Sequence, residues 1–224
     1  MAKKSRRKER AAAAAVATAP SPWERYRLWL IGTGIVAVEA VVGFMVVSSA
    51  TAEAYTCDEL LTTPADRAVD EEDAAGLLGF VVRDDGRANS DSSINYATCP
   101  PTSGEHRAGG AMEQGYYGPG REQAPNDWVH NLEHGYSVIA YSGDPGSEVL
   151  SQIRAAMDAV EPSEVAVACN LPSKTLALRF DQMSEPFAVL AWDRALLLDS
   201  FDQDLVTQAA TQFQDLAQAP ERAC

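Results

Sequence analysis

Positive charge is scarce through most of this 224-residue chain: from Thr51 onward, ten Lys and Arg stand against 29 Asp and Glu. A body so balanced repels phosphate backbones, which excludes nucleic acid as a partner. Only four cysteines occur, Cys57, Cys99, Cys169 and Cys224, and no Cys-x-x-Cys pair is among them. That argues against a dithiol redox motif and a zinc-thiolate site. No glycine-rich turn lies between a strand and a helix, so a phosphate-cradling loop is excluded. Ser103 in "TSGEH" lacks the glycine pattern of a nucleophile elbow, and no internal repeat is visible. Histidine is scarcest of all: His106, His130 and His134, all within one short stretch.

What the chain does have is a membrane arrangement. Residues 1–27 carry eight Lys and Arg against two Glu and run into "AAAAAVATAPSP", the composition of a disordered basic cytoplasmic tail. Residues 28–50, "LWLIGTGIVAVEAVVGFMVVSSA", are almost wholly apolar. At about 1.5 Å per residue they make roughly 34 Å of helix, enough to cross a hydrocarbon core of about 30 Å. Trp23, Tyr26 and Trp29 stand where an interfacial aromatic belt belongs, and the preceding charges hold the N-terminus in the cytoplasm. "SATAEA" contains an Ala-x-Ala cleavage pattern, but the apolar run exceeds the 7–15 or so residues of a signal-peptide core. A signal anchor is the expectation, with the rest of the chain outside the cytoplasm. Glu39 falls near the middle of the span, at a translocon cost of about 2.5–3.5 kcal/mol, and marks where a partner subunit in the membrane would be met.

After the span, residues 51–87 read as an acidic linker with a short helix at "DEEDAAGLL" and a strand at "GFVV". Residues 88–224 read as the extracytoplasmic domain. Its first part, to Asp127, is rich in Gly, Pro, Ser and Asn and has no helical period, which predicts a long ordered loop. "YSVIAY" predicts a buried strand, and "EVLSQIRAAMDAV" a helix capped by Ser147. "EVAVAC" and "TLALRF" predict strands, and "PFAVLAW" with "RALLLD" a strand turned at Asp193. Asp202 opens a last helix to Ala217. The expected fold class is α+β, a mainly antiparallel sheet with helices packed on it. In an oxidising compartment the four cysteines predict two disulfides, with three connectivities open.

The chemistry gathers in "WVHNLEHGYSVIAY" and "PPTSGEH". His130 and His134, four apart, share a face in a helix or a strand. With His106 they form a candidate three-histidine site for copper or zinc, to which Glu133 or the thioether of Met112 would add a ligand. "HNLEH" also fits His-x-x-Glu-His, in which two histidines hold zinc and Glu133 acts as general base in a hydrolase. That mechanism needs a helix, and Pro125 upstream with Gly135 downstream leaves little expected room for two turns. The plainer alternative is a hydrogen-bonded network tying the loop to the sheet.

Three motifs, "CPPTSGEH", "GYYGP" and "VHNLEHGYSVIAY", resemble a bacterial family of unknown function, number 3105 among the domains of unknown function. "FAVLAWDRALLLDSFD" and the closing "PERAC" are similar to it as well. The resemblance spans Ala88 to Cys224 and puts His106, His130, Glu133 and His134 on the family's signature positions without giving them a role. It implies a single-span or signal-bearing envelope protein. Similar members carry a cysteine just before the Gly-x-Tyr turn, where this chain has Gln114, so the pairing of Cys224 stays open. The expected function is a non-enzymatic metal-binding or accessory domain; the alternatives are a structural subunit of an envelope or respiratory membrane complex, or a zinc hydrolase.

Overall fold

Alternation dictates the centre of the molecule. In the strands β5 (Ser137–Tyr141), β6 (Thr175–Arg179), β7 (Phe187–Ala191) and β8 (Arg194–Leu198), almost every residue is buried, so both faces of the sheet must be covered. A computed structural model describes residues 55–82 and 94–224 and shows how that is done. The other elements are β1 (Tyr55–Leu60), β2 (Phe80–Val81), β3 (Ile94–Cys99) and β4 (Gly115–Tyr117), with α1 (Pro125–Glu133), α2 (Gly146–Ala159), α3 (Glu164–Ala168) and α4 (Gln203–Phe213).

The main sheet runs β2-β8-β7-β5-β6-β4. The pairs β2/β8, β8/β7 and β7/β5 are antiparallel, while β5/β6 and β6/β4 are parallel. The parallel pair β5/β6 follows from chain length: α2 and α3 lie between them and carry the crossover. β1 pairs with β3 in a separate parallel ribbon fastened by the Cys57–Cys99 disulfide. Cys169 pairs with Cys224. The fold is therefore α+β with a mostly antiparallel sheet.

Successive strand residues send their side chains to opposite faces. Val138, Ala140, Leu176, Leu178, Leu190, Trp192 and Leu197 face a core closed by α1 and the β1/β3 ribbon. Ile139, Tyr141, Ala177, Val189, Leu196 and Leu198 face a core closed by α2 and α4.

Several sequence expectations are corrected. The long loop holds β3, β4 and the start of α1. "HNLE" of "HNLEH" is helical, with His134 as the C-cap: Pro125 starts α1 at its first positions, where a missing N–H costs nothing, rather than closing it off. "EVAVAC" forms α3 instead of a strand, because the Ser163 hydroxyl accepts from the Ala166 N–H and caps it. "DEEDAAGLL" is turns, since Asp73 Oδ1 accepts from the amides of Ala75 and Leu77 and takes the place of helical bonding. Ser147 lies in the first turn of α2 and makes no cap bond. Asp202 caps α4 as expected, at 3.0 Å from the Leu205 N–H, but the helix ends at Phe213. The β7/β8 hairpin does turn at Asp193, with φ of 56°. No helix among the described residues is long and apolar enough to cross a membrane; the basic tail and the expected anchor at 28–50 lie outside the described residues.

Candidate metal centre

His106 is carried by the segment that leaves β3 at Cys99. Three bonds press that segment onto the domain. The Tyr96 hydroxyl donates to the Glu105 carbonyl (2.8 Å), the Asp193 N–H to the Thr102 carbonyl (3.2 Å), and the Arg107 N–H to the Asn126 carbonyl (2.8 Å). Arg107 also pairs with Asp127 at 3.0 Å. His106 thus sits against α1 and is 1% exposed. Its Nδ1 lies 3.0 Å from the Gly104 carbonyl. The Gly104 carbonyl thereby orients the ring and leaves Nε2 facing Glu133, as backbone carbonyls orient metal-binding histidines.

α1 supplies the rest. His130, Glu133 and His134 stand at i, i+3 and i+4 and share one side of the helix. The His106 ring meets the His130 ring edge-on at 5.0 Å, and the His130 and His134 rings stack at 4.8 Å. His106 Nε2 lies 2.9 Å from Glu133 Oε2, without the alignment of a hydrogen bond. One ligand atom each from His106, His130 and Glu133, all buried, falls within 4.8 Å of the others. A second trio, Glu133, His134 and Glu221, meets the same limit.

The polar bookkeeping of this site does not close by itself. His106 Nε2, His130 Nδ1 and His134 Nδ1 are buried atoms without a hydrogen-bond partner. Burial, then the neighbouring rings of His134 and His106, hold the His130 pKa below the usual histidine value. His130 is therefore neutral with a lone pair to give. Two imidazoles and a carboxylate form a donor set that zinc or copper(II) accepts. Met112 contributes through its backbone, which exchanges two 2.9 Å bonds with the Asn131 side chain; its own side chain packs at the rim of the apolar core.

The C-terminal end of α1 is locked by groups that sequence reading missed. The Tyr136 N–H donates to the Asn131 carbonyl and the Gly135 N–H to the Leu132 carbonyl, both at 2.9 Å, closing a Schellman motif. Gly135 has φ of 85°, and a Cβ there would lie 2.5 Å from Asp215 Oδ1. Lys174, 0% exposed, gives its ammonium to the His134 carbonyl, the Asp215 carboxylate and the Ala223 carbonyl. The Glu221 N–H donates to the Glu133 carbonyl at 3.0 Å, so the chain's last residues lie along the end of α1. No sequence period marks Lys174. Glu221 was within reach, since it belongs to the closing "PERAC" that carried the family resemblance.

Residues 87–224 match the family model described as "Protein of unknown function (DUF3105)". The chain belongs to that family. The family match covers β3 to the C-terminus and includes every residue of both trios. No curated protein and no solved structure matches the chain.

Proposed function

We propose that this member of the DUF3105 family is a membrane-anchored, extracytoplasmic domain that binds a transition-metal ion, zinc or copper, through His106, His130 and Glu133. The convergence of these three buried side chains, with His106 Nε2 and His130 Nδ1 left without a hydrogen-bond partner, carries the reading. Two disulfides suit an oxidising compartment, and the basic tail before an apolar stretch suits an anchor with its N-terminus inside. The span, with Glu39, is where another membrane subunit would dock. The module binds metal in an accessory role and is not an enzyme.

A hydrolase would need Glu133 free to act on water at an open metal position. Here its carboxylate stands against His106 and is nearly buried, which favours a ligand role. The test is metal retention. The detergent-solubilised full chain, loaded with Zn²⁺ or Cu²⁺ and dialysed, is expected to keep metal, and His106→Ala and Glu133→Gln to lose it. Metal-free wild-type protein after dialysis would end the proposal.

A further inference from the structure

We propose that the centre has two metal positions, with the Glu133 carboxylate shared between them. This rests on the metal-binding reading above and adds a second ion to it. The inner position is His106, His130 and Glu133; the outer is Glu133, His134 and Glu221. The two trios have one member in common, a carboxylate, which is the side chain with two oxygens to divide between neighbouring cations. Paired metals in such sites stand about 3.5–4 Å apart. Successive same-face histidines of a helix climb about 6 Å over four residues, so stacked His130 and His134 can each serve its own ion.

Two observations support the outer position independently of the inner one. His134 Nδ1 is buried without a partner, so the ring is not fully used by protein hydrogen bonds. Its Nε2 stands 3.7 Å from Glu221 Oε2, too far for a hydrogen bond. Two donors bound at about 2.0–2.1 Å to one tetrahedral ion lie about 3.4 Å from each other, close to that spacing. On the inner side, His106 Nε2 is buried without a hydrogen-bond partner 2.9 Å from Glu133 Oε2, so the carboxylate stands beside an unpaired nitrogen there too.

Glu221 is not a loose tail residue either. Its N–H is bonded to the Glu133 carbonyl, the Ala223 carbonyl accepts from Lys174, and Cys224 is bridged to Cys169. Its side chain is 62% exposed, whereas His106 is 1% exposed. The outer position is therefore the one open to exchange with solvent.

The full chain in detergent is titrated with Zn²⁺, and bound metal is counted after gel filtration at each free concentration. Two ions per chain are expected, the second bound at least tenfold more weakly. Glu221→Gln and His134→Ala should remove the second ion and keep the first. Glu221 is at the surface, so Glu221→Gln is expected to fold, and circular dichroism checks this. A single ion unaffected by Glu221→Gln would overturn the shared-carboxylate centre and leave the metal-binding reading standing. Two ions that both survive Glu221→Gln would also overturn it. No bound ion would overturn both.

Discussion

The two faces of the central sheet are covered in different ways. On one, α2 and α4 lay Ile153, Ala156, Met157, Val206, Ala209, Ala210 and Phe213 onto the strands. Among the described residues, neither helix buries a side-chain polar atom without a partner. On the other, α1 and the segment after β3 bury Thr102 Oγ1, His106 Nε2, Asn126 Oδ1, Trp128 Nε1 and His130 Nδ1, all without one. Unpaired buried polar atoms are costly, about 1–3 kcal/mol each, and a chain keeps them where another purpose outweighs the loss. The first face holds the fold together. The second carries the unpaired polar atoms, among them the His106 and His130 nitrogens on which the proposed metal site rests.

The contrast is broken most directly by attacking the stabilising face. Phe213→Ala empties a fully buried site in the α4 core and is expected to cost about 3–5 kcal/mol, read as a lower denaturant midpoint. Added metal should not restore it selectively. A loss well under 1 kcal/mol would mean that this face is not where the stability resides.

The second test moves to the donor face. If a ligand completes it, metal at a hundred times its Kd should stabilise the wild-type chain by about 2.7 kcal/mol. In His130→Ala that gain should vanish, and thermal melts with and without Zn²⁺ should coincide. An equal metal-induced shift in both proteins would place binding elsewhere.

The same division explains what could be read from sequence. The α2/α4 face follows from period alone: β5, β7 and β8 were legible as apolar runs, and α4 as a stripe opened by Asp202. The donor face obeys no period. β3 and β4 carry mixed side chains and pair far along the chain, so their order comes from tertiary contacts that composition does not encode. α1 is hard to read from sequence because Pro125 looks like a breaker there, whereas it stands in the first turn of the helix. The histidines stood out by scarcity, yet their convergence with Glu133 depended on that same helix. Lys174 and Asp215 meet across 41 residues and leave no local signal.

Just past the C-terminal end of α1 stands Gly135. Gly135→Ala imposes positive φ on a side chain and drives its Cβ into Asp215, so a cost of about 1–3 kcal/mol is expected. Because Asp215 also holds Lys174, and Lys174 the His134 carbonyl, metal retention should weaken along with stability. Loss of stability with unchanged metal content would separate the α1 terminus from the site.

The smallest effect separates the faces by pH, in metal-free protein. His130 titrates below the ordinary histidine value because it is buried beside two other rings. As pH falls through about 6.5, the unfolded chain takes up a proton that the native His130 refuses, so stability declines until the native value is reached. Asp73, Glu122 and Asp181 are held below the usual carboxylate range, Asp73 chiefly by Arg194, Glu122 by the Gly120 N–H and Asp181 by Arg179. Their stabilisation is present above pH about 4–4.5 and is lost only as pH falls further, towards the native values. The melting temperature should therefore fall between pH 7 and 5.5, before the carboxylates respond. His130→Ala should flatten that early decline and leave the acid limb in place. If the early decline persists in His130→Ala, the proton is taken up elsewhere, and the donor face is not the pH-sensitive half of the molecule.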